Sequence, residues 1–416
     1  MLKEKTVAKL SSEDELTIIE TVPGFGRGSF GLGYAALHLS AALERIGVDV
    51  YLASLDTRES GYEACEAVGF PKDRFIHGFA IGRSPFRISP FLRQGLLDRS
   101  SGRKPIVHAH GLWTYASYVA GAVSRERQCP LILSPHGELE PHALTLSTKK
   151  KAIASKLFVQ DNLARASCLC VLTEREKSSA RSYGFTKRIE IIPSGVSQAR
   201  PSPSEEIAAF RSRFDVKPNE RVLLYLSRIA PIKNLPLLLK AFSRNVRIRP
   251  DWKLLIAGPD ERGHVNEVRG LIRDLGIQDS VSFVGAVSGR EKSCAFSAAS
   301  LYVLPSVSEG LPIAVLEAMS YAKPILITDG WNFPIATDAV FAWRASTQEQ
   351  AFEKTLLEAM NCSDEALTRM GIESRSIVRR HFDWEFIARR MLKVYESIYR
   401  GNGEQYSCQM ASSMLS

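Results

Sequence analysis

The stretch LPSVSEGLPIAVLEAMSYAKPILITD, residues 304–329, holds a polar loop, a helical pattern and a strand in succession. It continues the apolar run LYVLPS (301–306), which reads as a preceding strand. The helix is predicted to begin near Pro312, because proline's fixed φ suits a first helical turn and its missing N–H is not needed there. Strand, helix and strand in so short a span make a βα unit of a parallel sheet. Glu309 lies just beyond the first strand. Glu317 lies on the helix among Ala314, Val315, Leu316, Ala318 and Met319. A carboxylate in such surroundings is costly to bury unless it is hydrogen-bonded. Hydroxyl-rich ligands supply such bonds, and open α/β sheets bind ligands outside the carboxyl ends of their strands.

The same alternation extends outward over most of the 416 residues. In the first half, strands are expected at 16–21, 48–54, 106–110, 131–136, 168–173 and 189–195. Helical patterns fall at about 31–46, 114–127, 148–165 and 174–183. The Pro/Ser-rich stretch SGVSQARPSPSEE (194–206) reads as an exposed connection. The alternation restarts with strands at 221–227, 253–258, 281–285, 301–306 and 324–329, and a helix is expected at about 383–399. The fold class is therefore α/β, with two doubly wound domains meeting near residue 200.

Composition excludes several alternatives. The chain is 45% hydrophobic and 24% charged, as in ordinary globular proteins. Its longest apolar runs are strand-length, well short of the roughly 20 residues of a membrane span. The N-terminus MLKEKTVAKLSSEDE has no apolar signal core, so a cytoplasmic location is expected. Seven scattered cysteines do not suggest a disulfide framework, and the CxC of Cys168 and Cys170 reads as a buried strand. The net charge of +9 leans to the N-terminal half. It reads as a solvated basic face, or one suited to an anionic membrane; no nucleic-acid partner is expected.

Four further segments carry candidate chemistry. PGFGRGSFGLG (23–33) opens a helix, and Gly26, Gly28 and Gly31 match GxGxxG. Such a turn lets backbone amides approach a phosphate. A dinucleotide role would need an acid at the end of the second strand, for which Asp56 is a loosely spaced candidate. In SRIAPIKN (227–234), Arg228 and Lys233 bracket one strand–helix turn, where two cations can offset departing diphosphate charge. His108 and His110 close one strand and His136 the next, with Gly137 and Glu138 following; zinc binding by this trio is poorly supported, and no metal site is assigned. The segment 148–166 carries Lys149, Lys150, Lys151 and Lys156 beside Ile153, Leu157 and Phe158. It reads as a packed helix with a wet basic face, or as one lying on an anionic membrane surface. Trp384 reads as a core anchor for the terminal helix.

Taken together, these features resemble the GT4, or group 1, family of retaining glycosyltransferases, over about residues 16–400. SEGLPIAVLEAM matches the family's E-x7-E signature through Glu309 and Glu317. SRIAPIKN matches its diphosphate segment, the glycine-rich turn and PHG (135–137) its N-terminal features, and FDWEFIARR (382–390) its terminal helix. HGLW (110–113) and PHGELEP (135–141) look most like members of bacterial polysaccharide gene clusters.

The resemblance implies a GT-B fold of two Rossmann-like domains facing across a cleft. Residues 1–200 would bind the acceptor and 201–382 the nucleotide sugar. Residues 383–400 would form a helix packing back on the first domain; residues 401–416, polar and without periodicity, read by their composition as a disordered tail. Glu317 would hold the ribose, Glu309 the transferred sugar, and Arg228 and Lys233 the diphosphate. His136 would meet the donor sugar near the reacting centre. Gly31 and Gly33 would let the first loop approach the diphosphate or the acceptor. Gly310 and Leu311 would add backbone contacts, and backbone near Val284 would meet the base. The implied reaction moves a hexosyl group from a nucleoside-diphosphate sugar to a hydroxyl, the acceptor being a lipid-linked glycan of bacterial surface polysaccharide synthesis. No cofactor or metal is implied, and peripheral contact with an anionic membrane through 148–166 stays open. The alternatives are a nucleotide-sugar epimerase or NAD-dependent oxidoreductase on a similar fold, or a non-catalytic sugar-nucleotide-binding protein.

Overall fold

The computed structural model describes residues 16–26, 30–81, 87–261, 263–331 and 341–401. The chain forms two compact units. One runs to Gly195 and resumes at Trp384; the other is Val196–Asp383. The changeovers thus fall at 195/196 and 383/384, rather than at the expected 200/201 and 382/383. Gly28 and nearly all of the expected tail 401–416 lie outside the described residues.

The first unit holds β1 (Thr17–Val22), β2 (Asp49–Ser54), β3 (Phe75–His77), β4 (Ile106–His110), β5 (Leu131–Ser134), β6 (Cys168–Val171) and β7 (Ile189–Ile191). They pair in the order β3-β2-β1-β4-β5-β6-β7, every adjacent pair parallel. Such a sheet is covered on both faces, so its strands read as nearly continuous apolar runs. In β1, Ile18 and Val22 join one core, with the helices Phe30–Arg45 and Trp384–Tyr399. Ile19 joins the other, with Ala116, Val119 and Val123 of the helix Tyr115–Arg127. The terminal helix is thus part of the first unit. Trp384 anchors it: the indole is buried, stacks on His38 with ring centroids 5.4 Å apart, and leaves no room for a Cβ on Gly195.

The second unit holds β8 (Arg221–Leu226), β9 (Trp252–Ala257), β10 (Val281–Gly285), β11 (Leu301–Leu304), β12 (Ile325–Thr328) and β13 (Ala342–Ala345). Their order is β10-β9-β8-β11-β12-β13, again all parallel. Both sheets therefore have the doubly wound order 3-2-1-4-5-6 over their first six strands, with a topological switch point between the first and fourth. In the second unit that point lies between β8 and β11. The edge strands β3 and β13 were not expected. Each is only three or four residues long, and β13 buries only Ala345 fully.

One expected helix is also broken. Residues 148–165 form Thr148–Ala154, a widened π turn Ser155–Val159, and Gln160–Arg165. Among the described residues, no helix is long and apolar enough to cross a membrane.

Candidate active site

The switch point of the second unit brings the sequence-distant charges together. After β8, Ile229 N–H donates to Pro259 O at 2.8 Å, tying the turn to the end of β9. Tyr225 Oη donates to Arg228 O at 2.7 Å. Pro231–Lys233 forms a single 3-10 turn, and Asn234, at φ +54°, starts the helix Leu235–Ile248. The loop after β11 is laced onto this turn: Val307 N–H donates to Ile232 O at 2.9 Å. On its other side, Glu309 N–H donates to Gly330 O at 3.0 Å. Gly330 has to be glycine, since a Cβ there would lie 2.3 Å from Val307 O. The two loops together set Lys233 Nζ 2.5 Å from Glu309 Oε1, with the residues only 8% and 9% exposed.

Two more ion pairs flank this one. Arg228 is exposed and pairs with Glu261, beyond β9. Glu317, nearly buried, lies 2.6 Å from Lys292 Nζ on the helix Gly289–Ala298. Burial raises the Glu317 carboxyl above its ordinary range, and the Lys292 charge only partly opposes this. Glu261 and Lys292 were not singled out from the sequence, where they are ordinary members of charged helical or loop segments. Pro312 is the residue before the helix Ile313–Ser320, not its first turn. Gly310 and Leu311 are half-buried on the approach to that helix. Val284 falls where the β10 register against β9 shifts, so it stands at a bulge on the strand end.

In the first unit the structure differs from the expectation for the histidines. His108 is not a strand-end group: it is fully buried, opposite Glu20 in the β1–β4 register. Its Nε2 is 2.7 Å from Ser134 Oγ and its Nδ1 2.7 Å from Tyr395 Oη. Glu20, also fully buried, accepts from Ser40 Oγ at 2.5 Å and from Tyr395 Oη at 3.0 Å. His110 does close β4, and its Nδ1 lies 2.8 Å from His136 Nε2. His136 sits in a left-handed turn at φ +49°, and Gly137 follows at φ +81°. The Gly137 amide donates to Glu176. Burial first, and the neighbouring histidines next, hold the His136 imidazole well below its ordinary range. Burial likewise takes His108 down to about 4.

Burial would raise the Glu20 carboxyl, but the hydrogen bonds and charges of His108 and His110 outweigh it and leave the group below its ordinary range. Glu138 and Glu176 go the other way, pushed by burial up to about 7. Glu138 accepts from Leu112 N–H at 2.5 Å. None of these three carboxylates was identified as a site residue from the sequence. Glu176 alone had a local signal, T-x-x-E from Thr173, whose hydroxyl caps the helix Glu174–Ser182.

The matches to known proteins cover both units. Residues 206–376 match the model described as "Glycosyl transferases group 1", and residues 30–195 the "Glycosyl transferase 4-like domain". A D-inositol 3-phosphate glycosyltransferase of Catenulispora acidiphila is 30% identical over 325 residues, which is 73% of this chain and 75% of that one. The chain belongs to the group 1 glycosyltransferases. An alpha-monoglucosyldiacylglycerol synthase of Streptococcus pneumoniae is 26% identical over 311 residues, covering 71% of this chain and 67% of its own. Among solved structures, Anabaena HepE in complex with UDP and glucose shares the fold with a TM-score of 0.70 at 16% identity, covering 92% of this chain and all of its own. The fold is the expected GT-B class, and the oxidoreductase and epimerase alternatives fall away.

The geometry of this glycosyltransferase bears on the remaining candidates. Asp56 is tied down as a brace: its Oδ2 accepts from Phe25 N–H at 2.7 Å, and its Oδ1 lies 3.3 Å from Arg87. Gly31 is exposed with open space around its Cα. Gly33 is buried, and a Cβ there would lie 2.4 Å from Gly24 O. Its missing side chain therefore answers an internal helix-to-turn contact. The basic segment is divided too. Lys151 turns inward over the Trp113 ring at 5.5 Å, and burial lowers both Lys150 and Lys151. Lys149, Lys156, Ile153 and Leu157 face outward, Leu157 with 70% exposure.

Proposed function

We propose that this glycosyltransferase moves a hexosyl group from a nucleoside-diphosphate sugar to a hydroxyl of a lipid-linked glycan, with retention of anomeric configuration. The buried Lys233–Glu309 pair at the switch point between β8 and β11 carries this reading. Lys233 and Arg228 supply two cations on one turn for the departing diphosphate. Charge development on the leaving group is where fixed electrostatic support lowers the barrier most. Glu309 is held by Lys233 through Oε1, so Oε2 is the oxygen assigned to sugar hydroxyls. Glu317, with its raised affinity for a proton and its neighbour Lys292, is assigned to the ribose. The contact of His136 with the transferred sugar, the backbone contacts of Gly310, Leu311 and Val284, and the approach of the first loop at Gly31 come from the family resemblance. So does same-face attack, in which the leaving phosphate takes up the acceptor proton. With two cations at the diphosphate, transfer is expected to persist after chelation of divalent metals.

Two observations support the lipid-linked acceptor and a role in bacterial surface polysaccharide synthesis. The pneumococcal relative is named for a glycolipid product. The outward Lys149, Lys156, Ile153 and Leu157 suit peripheral contact with an anionic membrane at its cytoplasmic face. The test begins with thermal stability against UDP, GDP, ADP and NAD. A ligand at 100 times its dissociation constant adds about 2.7 kcal/mol. A rise with one nucleoside diphosphate, lost in Glu317→Ala, identifies the base. Transfer from the matching sugar nucleotide is then followed by NMR. Near-normal transfer by Glu309→Gln, or an inverted product anomer, would overturn the reading.

A further inference from the structure

A directed chain of hydrogen bonds runs through the first unit and ends on one buried carboxylate. Glu20, His108, His110 and Ser134 come from three adjacent strands, and Tyr395 reaches them from the terminal helix. With Glu20 ionised, each shared proton has one consistent place. Ser40 Oγ and Tyr395 Oη both donate to Glu20. Tyr395 has then spent its proton, so its 2.7 Å contact with His108 Nδ1 is completed by an Nδ1–H on His108. The other ring nitrogen of His108 is thereby an acceptor for Ser134 Oγ.

The second branch carries the consequence. His110 Nε2 is buried, has no hydrogen-bond partner, and lies 3.9 Å from Glu20 Oε2. A lone pair facing a buried carboxylate is repelled, whereas an N–H is attracted, and the low local dielectric strengthens both effects. With His110 carrying a single ring proton, that proton belongs on Nε2, where it faces Glu20, and its Nδ1 is an acceptor. The 2.8 Å contact between His110 Nδ1 and His136 Nε2 needs one proton, and only His136 can give it.

We propose that Glu20 is a positioning residue that acts through His110 to fix His136 as the Nε2–H tautomer, leaving His136 Nδ1 as a hydrogen-bond acceptor. In the glycosyl transfer proposed above, His136 would then accept from a sugar hydroxyl and not donate to a sugar oxygen. That last step rests on the proposed function; the tautomer does not. Ligand atoms of Glu20, His108 and His110 lie within 4.8 Å of one another, a spacing that also suits a metal ion. Both ring nitrogens of His108 already have hydroxyl partners, so the proton chain accounts for this donor set without one.

The experiment is a long-range ¹H–¹⁵N correlation spectrum of the full-length chain labelled on its 8 histidines, assigned by single His→Gln variants. His136 is expected to show a protonated Nε2 and an unprotonated Nδ1, with His108 showing the opposite pattern. Glu20→Gln should move His136 towards a tautomer mixture, and Glu20→Asp should retain the native pattern. A native His136 protonated on Nδ1 would overturn the proposal, as would stoichiometric zinc in the purified chain or a Glu20→Gln spectrum unchanged at His136. Should Glu20→Gln not fold, the native spectrum still decides. None of these readings needs a donor sugar, so a failed transfer assay and a failed tautomer assignment are told apart.

Discussion

The two strand-end regions solve the cost of burying carboxylates in opposite ways. In the second unit, Glu309, Glu317 and Glu261 each meet a cation: Lys233, Lys292 and Arg228. In the first unit, Glu20, Glu138 and Glu176 take their hydrogen bonds from neutral donors, namely hydroxyls and backbone amides, and Lys150 and Lys151 act on Glu138 only through space. A charge pair can trade partners when a charged ligand arrives, because each member stays attractive to something outside the protein. A carboxylate ringed by neutral donors is a fixed part of the fold, and it orients those donors. The contrast fits the division of labour proposed here: charge stabilisation in one unit, an oriented histidine in the other.

The largest effect should come from breaking the central pair. Glu309→Gln should reduce transfer by about a hundred- to a thousandfold, the range for losing a key electrostatic contact. Lys233→Met should do the same. Each single variant should also lose about 3 kcal/mol of stability in urea, because it strands a buried charge. Both residues sit in loops, yet their burial as a pair ties them to the stability of the fold. The double variant should recover most of the stability and none of the activity. Additive stability losses in the double variant would show that the two residues are not coupled.

Legibility differs between the units for the same reason. The chemistry of the second unit rests on two short loops, so Arg228 to Lys233 and Glu309 to Glu317 each appear within one βα turn of sequence. The network of the first unit gathers Glu20, Ser40, His108, His110, Ser134, His136 and Tyr395, and nothing local links β1 to the terminal helix. Glu20 stands in TIIETV, where the apolar pattern announces a buried strand and hides the acid within it. His110 and His136 were visible as strand-end groups, while His108 was misplaced, because only the register sets it opposite Glu20. The short edge strands went unseen because neither is long enough to show a period.

A middle-sized effect tests whether the neutral network is structural. Tyr395→Phe removes the donor to Glu20 and the partner of His108 Nδ1. Leaving buried polar groups unsatisfied should cost about 1–3 kcal/mol, measured by urea unfolding. A loss close to zero would mean that water replaces the hydroxyl and that the first unit is less dry than its burial indicates.

Glu138 gives a smaller, pH-dependent effect. Its carboxyl is raised by burial from 4.5 to about 7. Between those values the folded state keeps a proton that the unfolded state has released, so stability falls as pH rises through the window. Glu138→Gln does not titrate. The stability of the native chain relative to this variant should therefore fall by about 1–2 kcal/mol from pH 4.5 to 7.5, after allowing for its partial exposure. A flat difference, or one that rises, would place the ionised carboxylate among stronger partners than Leu112 N–H, Lys150 and Lys151.

The smallest effect concerns Arg228 and Glu261, the most exposed of the three pairs, with Arg228's side chain 57% exposed. Such a pair contributes at most about 1 kcal/mol, so Glu261→Ala should leave unfolding almost unchanged. Binding is the sharper measurement. If Arg228 serves the diphosphate, Glu261 competes with the ligand for the same guanidinium, and its removal should tighten nucleoside-diphosphate binding about two- to threefold by calorimetry. Raised salt should shrink that gain, since screening weakens the competing pair. Weaker binding in Glu261→Ala would reverse the assignment: Glu261 would then be holding Arg228 in place for the ligand, and this flank of the second unit would work by fixed orientation, as the first unit does.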